Sequence, residues 1–94
     1  MKLFSWNGDK NRWLKVYRQV SFEEALLQIE KGAILDIMEH PNPAKYMNQK
    51  MFIVAINNYA YLVPFVESET QIFLKTVIPS RKATNRYLGG KWNG

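Results

Sequence analysis

The chain of 94 residues contains no cysteine, which excludes a disulfide framework and any thiolate metal site. It has a single histidine, His40, too few imidazoles for a zinc or haem centre. A Gly-rich phosphate loop, a Ser/His/Asp set and metal-ligand spacings are all missing, so neither a cofactor nor a metal is expected. The N-terminus lacks an apolar run of signal-peptide length, and no stretch approaches a membrane span. A cytoplasmic protein with no membrane partner is expected. The last absence is the most informative. From Thr70 onward there is no acidic residue at all, but there are Lys75, Arg81, Lys82, Arg86 and Lys91.

Up to Glu69 the chain carries eight basic and eight acidic residues, so the whole net charge of +5 sits in the last quarter. Charge gathered in this way points to a polyanionic partner, a nucleic acid or an acidic protein. Hydrophobic residues make up 47% and charged residues 22%, a composition that folds. Residues 1–94 are read as one domain, with a frayed tail after Gly89.

Asn7-Gly8-Asp9 is expected to cap a first helix running to about Gln19, with Trp13, Leu14 and Tyr17 as its apolar stripe. Asn11, Lys15 and Arg18, at i, i+4, i+7, share a polar face. Ser21 and Glu24 form a capping box for a second helix. Phe22, Ala25, Leu26 and Ile29 make its core face, and Gly32 stops it. The period then changes to two. Ala33–Met38, Met51–Ile56, Tyr59–Val66 and Ile72–Ile78 read as strands, the middle pair joined by a tight turn at Asn57-Asn58. Pro64 implies an edge or a bulge. In the last strand Ile72, Leu74, Thr76 and Ile78 should face inward, with Val77 outside. Ser80 caps a short last helix through about Leu88. The expected fold is α+β, with two N-terminal helices on one face of an antiparallel sheet of about four strands.

Candidate functional groups follow from these placements. Arg81 and Lys82 fall in the first turn of the last helix. The dipole disfavours cations there, and an added phosphate would offset that cost. Lys15 and Arg18 are second candidates, His40 is the one loop imidazole, and Tyr46, Tyr59, Tyr61 and Tyr87 are aromatics that stack on bases when they lie among cations. Tyr59 and Tyr61 share a sheet face, which also fits simple packing.

Phe4-Ser5-Trp6 with Lys10-Asn11, then Val20-Ser21-Phe22-Glu23-Glu24-Ala25, then Ile78-Pro79-Ser80-Arg81-Lys82-Ala83-Thr84 with Tyr87, resemble the BrnT-type toxins over nearly the whole chain. These are small ribonucleases of RelE-like fold from type II toxin–antitoxin pairs. Tyr17-Arg18-Gln19 stands where those toxins typically read Lys-His-Gly. Glu67 and its neighbours occupy the stretch where they carry a strand arginine. The resemblance implies metal-independent RNA cleavage in the cytoplasm and an oligomeric complex with a small DNA-binding antitoxin. Such a partner would cover the basic surface with an acidic or amphipathic segment. Cleavage requires a base for the 2′-OH, a clamp for the phosphorane charge and an acid for the leaving oxygen. Arg81 and Lys82 are then the expected clamp, Lys15 and Arg18 flank it, Tyr87 orients, and a Lys crowded by other cations, its pKa lowered by them, is the expected base, with His40 as the remaining acid–base candidate. Lys75, Arg86 and Asn11 join Arg81 and Lys82 as expected nucleic-acid contacts. The alternative is a binding module without chemistry that uses the same basic face.

Overall fold

The computed structural model describes residues 2–39, 42, 44, 45 and 49–89. Short strand β1 (Leu3–Ser5) leads into helices α1 (Gly8–Tyr17) and α2 (Phe22–Glu30). Strands β2 (Ile34–Glu39), β3 (Gln49–Ile56), β4 (Tyr59–Glu67), β5 (Gln71–Leu74) and β6 (Ile78–Pro79) follow, and α3 (Arg81–Leu88) comes last. The class is α+β. Among the described residues no helix is long and apolar enough to cross a membrane.

Side-chain caps begin α1, α2 and α3. Asn7 accepts from Lys10 N, Ser21 from Glu24 N and Ser80 from Ala83 N. Gly32 ends α2 at φ +75°, where a Cβ would be strained. The β3–β4 hairpin turns on Asn57 and Asn58 at φ 53° and 65°, the paired left-handed residues of a type I′ turn.

The sheet order is β1-β5-β4-β3-β2, with β6 also on β4. It is antiparallel except at one edge, where β1 runs parallel to β5 through Phe4↔Ile72. This corrects the four-strand, wholly antiparallel expectation. Three residues with no local turn signal left β1 unrecognised. A second correction concerns the last strand. Phe65 pairs with Leu74 but Leu62 with Ile78, so Lys75, Thr76 and Val77 oppose only Val63 and Pro64. The extra residue is a bulge beside Pro64, which has no N–H for the ladder. Alternation is reset there. Leu74 and Val77, three apart, are both fully buried, and the expected outward Val77 is a core residue.

Strand alternation divides β3 between two cores. Phe52, Val54 and Ile56 join Leu14, Val20, Phe22 and Ala25 in the larger one under α1 and α2. Ile53 faces the other way, with Ala60 and with Ala83 of α3. α3 therefore covers part of the sheet face opposite α1 and α2, so the helices form two layers around the sheet and not one. Of the expected α1 stripe only Leu14 is buried. Trp13 and Tyr17 are 39% and 68% exposed.

Candidate nucleic-acid interface

α3 reads Arg-Lys-Ala-Thr-Asn-Arg-Tyr-Leu, and its period places Ala83 and Thr84 inward and buried. Thr84 fastens the helix to the sheet. Its Oγ1 accepts from Ala60 N and donates to Ser80 O, both at 2.8 Å, while Ser80 N donates to Ala60 O at 3.0 Å. Arg81, Lys82, Asn85 and Arg86 are exposed, and Tyr87 and Leu88 are half-buried. Among the described residues none of Lys75, Arg81, Lys82 and Arg86 takes part in a salt bridge.

A hollow lies on each flank of α3. The first, about 200 Å³, is lined by Met38, Met51, Ile53, Leu62, Ala83 and Tyr87 and by Ser80, Lys82 and Arg86. The second, about 210 Å³, is lined by Tyr59, Arg81, Thr84 and Asn85. Arg81 and Lys82 thus belong to different hollows. Neighbours in sequence are about 100° apart around a helix, so Lys82 shares its side with Arg86, and Arg81 shares its side with Asn85.

Tyr87 donates from its hydroxyl to Asp36 Oδ2 at 2.5 Å, and Asp36 Oδ1 accepts from Ile37 N at 2.8 Å. The Tyr87 bond holds the Asp36 carboxyl below its ordinary range. Conversely, the same bond raises the phenol. A bulge places Asp36 there. Ile34 pairs with Val54 but Asp36 with Ile53, so Leu35 is the extra residue and Asp36 lands on the α3 face. Asp36 was not among the expected site residues. Its signal in sequence is one carboxylate inside the apolar run Ile34-Leu35-Asp36-Ile37-Met38. Arg86 lies over the Tyr87 ring, 5.7 Å from its centroid.

Other expected site residues lie elsewhere. Lys15 is on α1 and Arg18 is its C-cap, and Leu14 of α1 belongs to the opposite core. Lys15 pairs with Glu23 at 3.9 Å. Arg18 donates to Val77 O at 2.8 Å and to Thr76 Oγ1 at 3.4 Å, and lies 4.8 Å from the Trp13 ring centroid. It pins the bulge that precedes β6. Asn11 is no surface contact: it is 6% exposed, its Oδ1 accepts from Phe22 N, and its Nδ2 donates to Glu23 Oε1, each at 2.8 Å. Both of these bonds join α1 to α2. That bond to Asn11 is the main cause of a lowered Glu23 pKa. Glu67, in the stretch of the expected strand arginine, pairs with Lys2 at 2.6 Å. Tyr59 and Tyr61 pack edge to face at 5.8 Å, and Tyr61 rests against the larger core. His40, Tyr46 and Lys91 lie outside the described residues.

Chemically, the arrangement around α3 can bind anions on a ridge and apolar or aromatic groups on either side. Among the described residues no group of three or more His, Cys, Asp or Glu side chains is placed to hold a metal ion. Comparison with protein-family models, with curated proteins and with solved structures finds no match to this chain.

Proposed function

We propose that this chain binds RNA across α3 and acts on it as the toxin member of a toxin–antitoxin pair, in the manner of the BrnT-type toxins it resembles in sequence. The observation that carries the reading is the set of exposed cations on α3, Arg81, Lys82 and Arg86, with no salt-bridge partner among the described residues. Exposed cations clustered on one short helix attract a polyanion, and a phosphate backbone supplies a row of negative charges. In this reading Lys82 and Arg86 stabilise the charge that develops on the phosphorane. A small DNA-binding antitoxin would neutralise the surface in the cytoplasm by covering α3 with an acidic segment, within an oligomeric complex.

One observation favours the second reading, a module that binds without cleaving. The Tyr87 hydroxyl is already committed to Asp36. Expression in a host cell and incubation of the purified chain with RNA separate the two. The toxin reading expects growth arrest and new RNA ends, both lost in Lys82→Ala/Arg86→Ala. Binding without arrest or product supports the module, and failure to bind RNA overturns both.

A further inference from the structure

We propose that the first hollow beside α3 is a binding site for a small organic acid, a hydrocarbon body about the size of a phenyl ring that carries one carboxylate. The hollow takes the hydrocarbon, and Lys82 and Arg86 take the carboxylate. This goes beyond the RNA-directed reading and stands without it, although the two use the same pair of cations.

The apolar lining dictates the body of the guest. Met51, Ile53 and Ala83 are buried and Leu62 is half-buried, yet all four border a hollow of about 200 Å³. An apolar cavity of roughly 150 Å³ holds a benzene-sized guest, so this one takes about six to nine heavy atoms. Met38, Met51 and Tyr87 add two thioethers and a ring to the lining, and sulfur makes favourable contacts with an aromatic guest. The two hydroxyls of the lining are engaged already. Tyr87 donates to Asp36 Oδ2 at 2.5 Å, and Ser80 Oγ accepts from Ala83 N at 3.1 Å. A nucleobase or a sugar would bring donors and acceptors against apolar side chains that pair with none of them, and leaving them unpaired is costly. A hydrocarbon carries no such cost.

The cations dictate the head. Lys82 and Arg86 both line the hollow, stand four residues apart on one side of α3, and are exposed. Neither has a salt bridge among the described residues, and no carboxylate lines the hollow. Asp36 feels the Arg86 charge, but its two oxygens accept from Tyr87 and from Ile37 N. A guanidinium grips a planar carboxylate through two parallel N–H bonds, and the Lys82 ammonium adds a second positive charge. Apolar lining and paired cations together fit an amphipathic anion better than a neutral hydrocarbon or a bare ion.

The test titrates the whole chain, with its methionine methyl groups labelled for NMR, against five probes. These are 3-phenylpropionate, the matching alcohol 3-phenylpropanol, the matching amine 3-phenylpropylamine, acetate, and uridine monophosphate. The phenyl acid should shift the Met38 and Met51 methyl signals and bind with a Kd of about 1 mM or tighter. The alcohol, the amine and acetate should each bind at least about five-fold more weakly, because each lacks one of the two recognised parts. Lys82→Glu/Arg86→Glu changes two exposed side chains, so the fold should persist, and the variant should prefer the amine to the acid. An alcohol that binds as tightly as the acid overturns the inference and leaves an apolar dent. Uridine monophosphate bound more tightly than the acid, with the same methyl shifts, overturns it in favour of a nucleotide. No methyl shift with the acid at about ten times that Kd overturns it outright. RNA affinity is measured separately on the same sample, so either reading can fail alone.

Discussion

Replacing Asn11 with alanine removes two hydrogen bonds of 2.8 Å that join the first two helices, one to Phe22 N and one to Glu23. The first matters more. Phe22 is fully buried and opens α2, so its amide loses a partner where water cannot reach it. An orphaned buried donor costs ~1–3 kcal/mol, and the bond to the exposed Glu23 carboxylate adds a few tenths. The expected loss is therefore about 2 kcal/mol. For a domain of this size that lowers Tm by roughly 8–16 °C. Urea unfolding followed by circular dichroism measures the loss directly. An independent readout is the Glu23 titration, which should move up toward its ordinary range once the Asn11 bond is gone. RNA affinity per folded molecule should not change. A variant of unchanged stability with weakened RNA binding would refute this reasoning and return Asn11 to the ligand surface.

Arg81→Ala should weaken RNA binding, and growth arrest in proportion, yet change stability by less than ~0.5 kcal/mol, because the side chain is exposed and free of salt bridges; undiminished RNA affinity excludes it from the binding surface. Arg18→Ala should act in the opposite way, destabilising by ~1–3 kcal/mol through the lost charged bond to Val77 O, as read by thermal unfolding. Acid should lower stability in a graded manner, as read by urea unfolding at a series of pH values. Glu23, Asp36 and Glu67 all have folded pKa values below their ordinary ones, so their contribution is complete above the ordinary carboxylate range and is lost as pH falls through the lowered values. Tyr87→Phe removes the partner that holds Asp36 down, and should shift the Asp36 titration upward by NMR.

Sequence reading succeeded where a few adjacent residues settle the structure. Asn7, Ser21 and Ser80 cap helices because one side-chain oxygen reaches an amide three residues on. Asn57-Asn58 makes the hairpin because both tolerate positive φ. It failed where distant segments decide. β1 exists only because residues 71–73 offer it an edge. Val77 is buried because one extra residue beside Pro64 resets the alternation, and periodicity cannot count a bulge in advance. At the candidate site the cations of α3 were legible as charge, but their division between two flanks depends on which way α3 lies on the sheet. Asp36 was missed because a second bulge turns it toward Tyr87. Asn11 was misread because an asparagine beside Lys15 and Arg18 on one helical face looks solvent-facing until the position of α2 is known.

The parallel strand at the sheet edge also orders events in time. Phe4 pairs with Ile72, so 68 residues separate the two partners. At about 5–20 residues per second of synthesis, the first strand waits roughly 3–14 s for its neighbour to be made. During that interval Trp6 can already stack on Phe22, 5.5 Å between ring centroids, because both are synthesised early. Leu3 and Phe4 meanwhile have no strand to pair with, and an unpaired apolar strand invites the same segment of another nascent chain. Keeping β1 short, at three residues, limits that hazard on a crowded polysome.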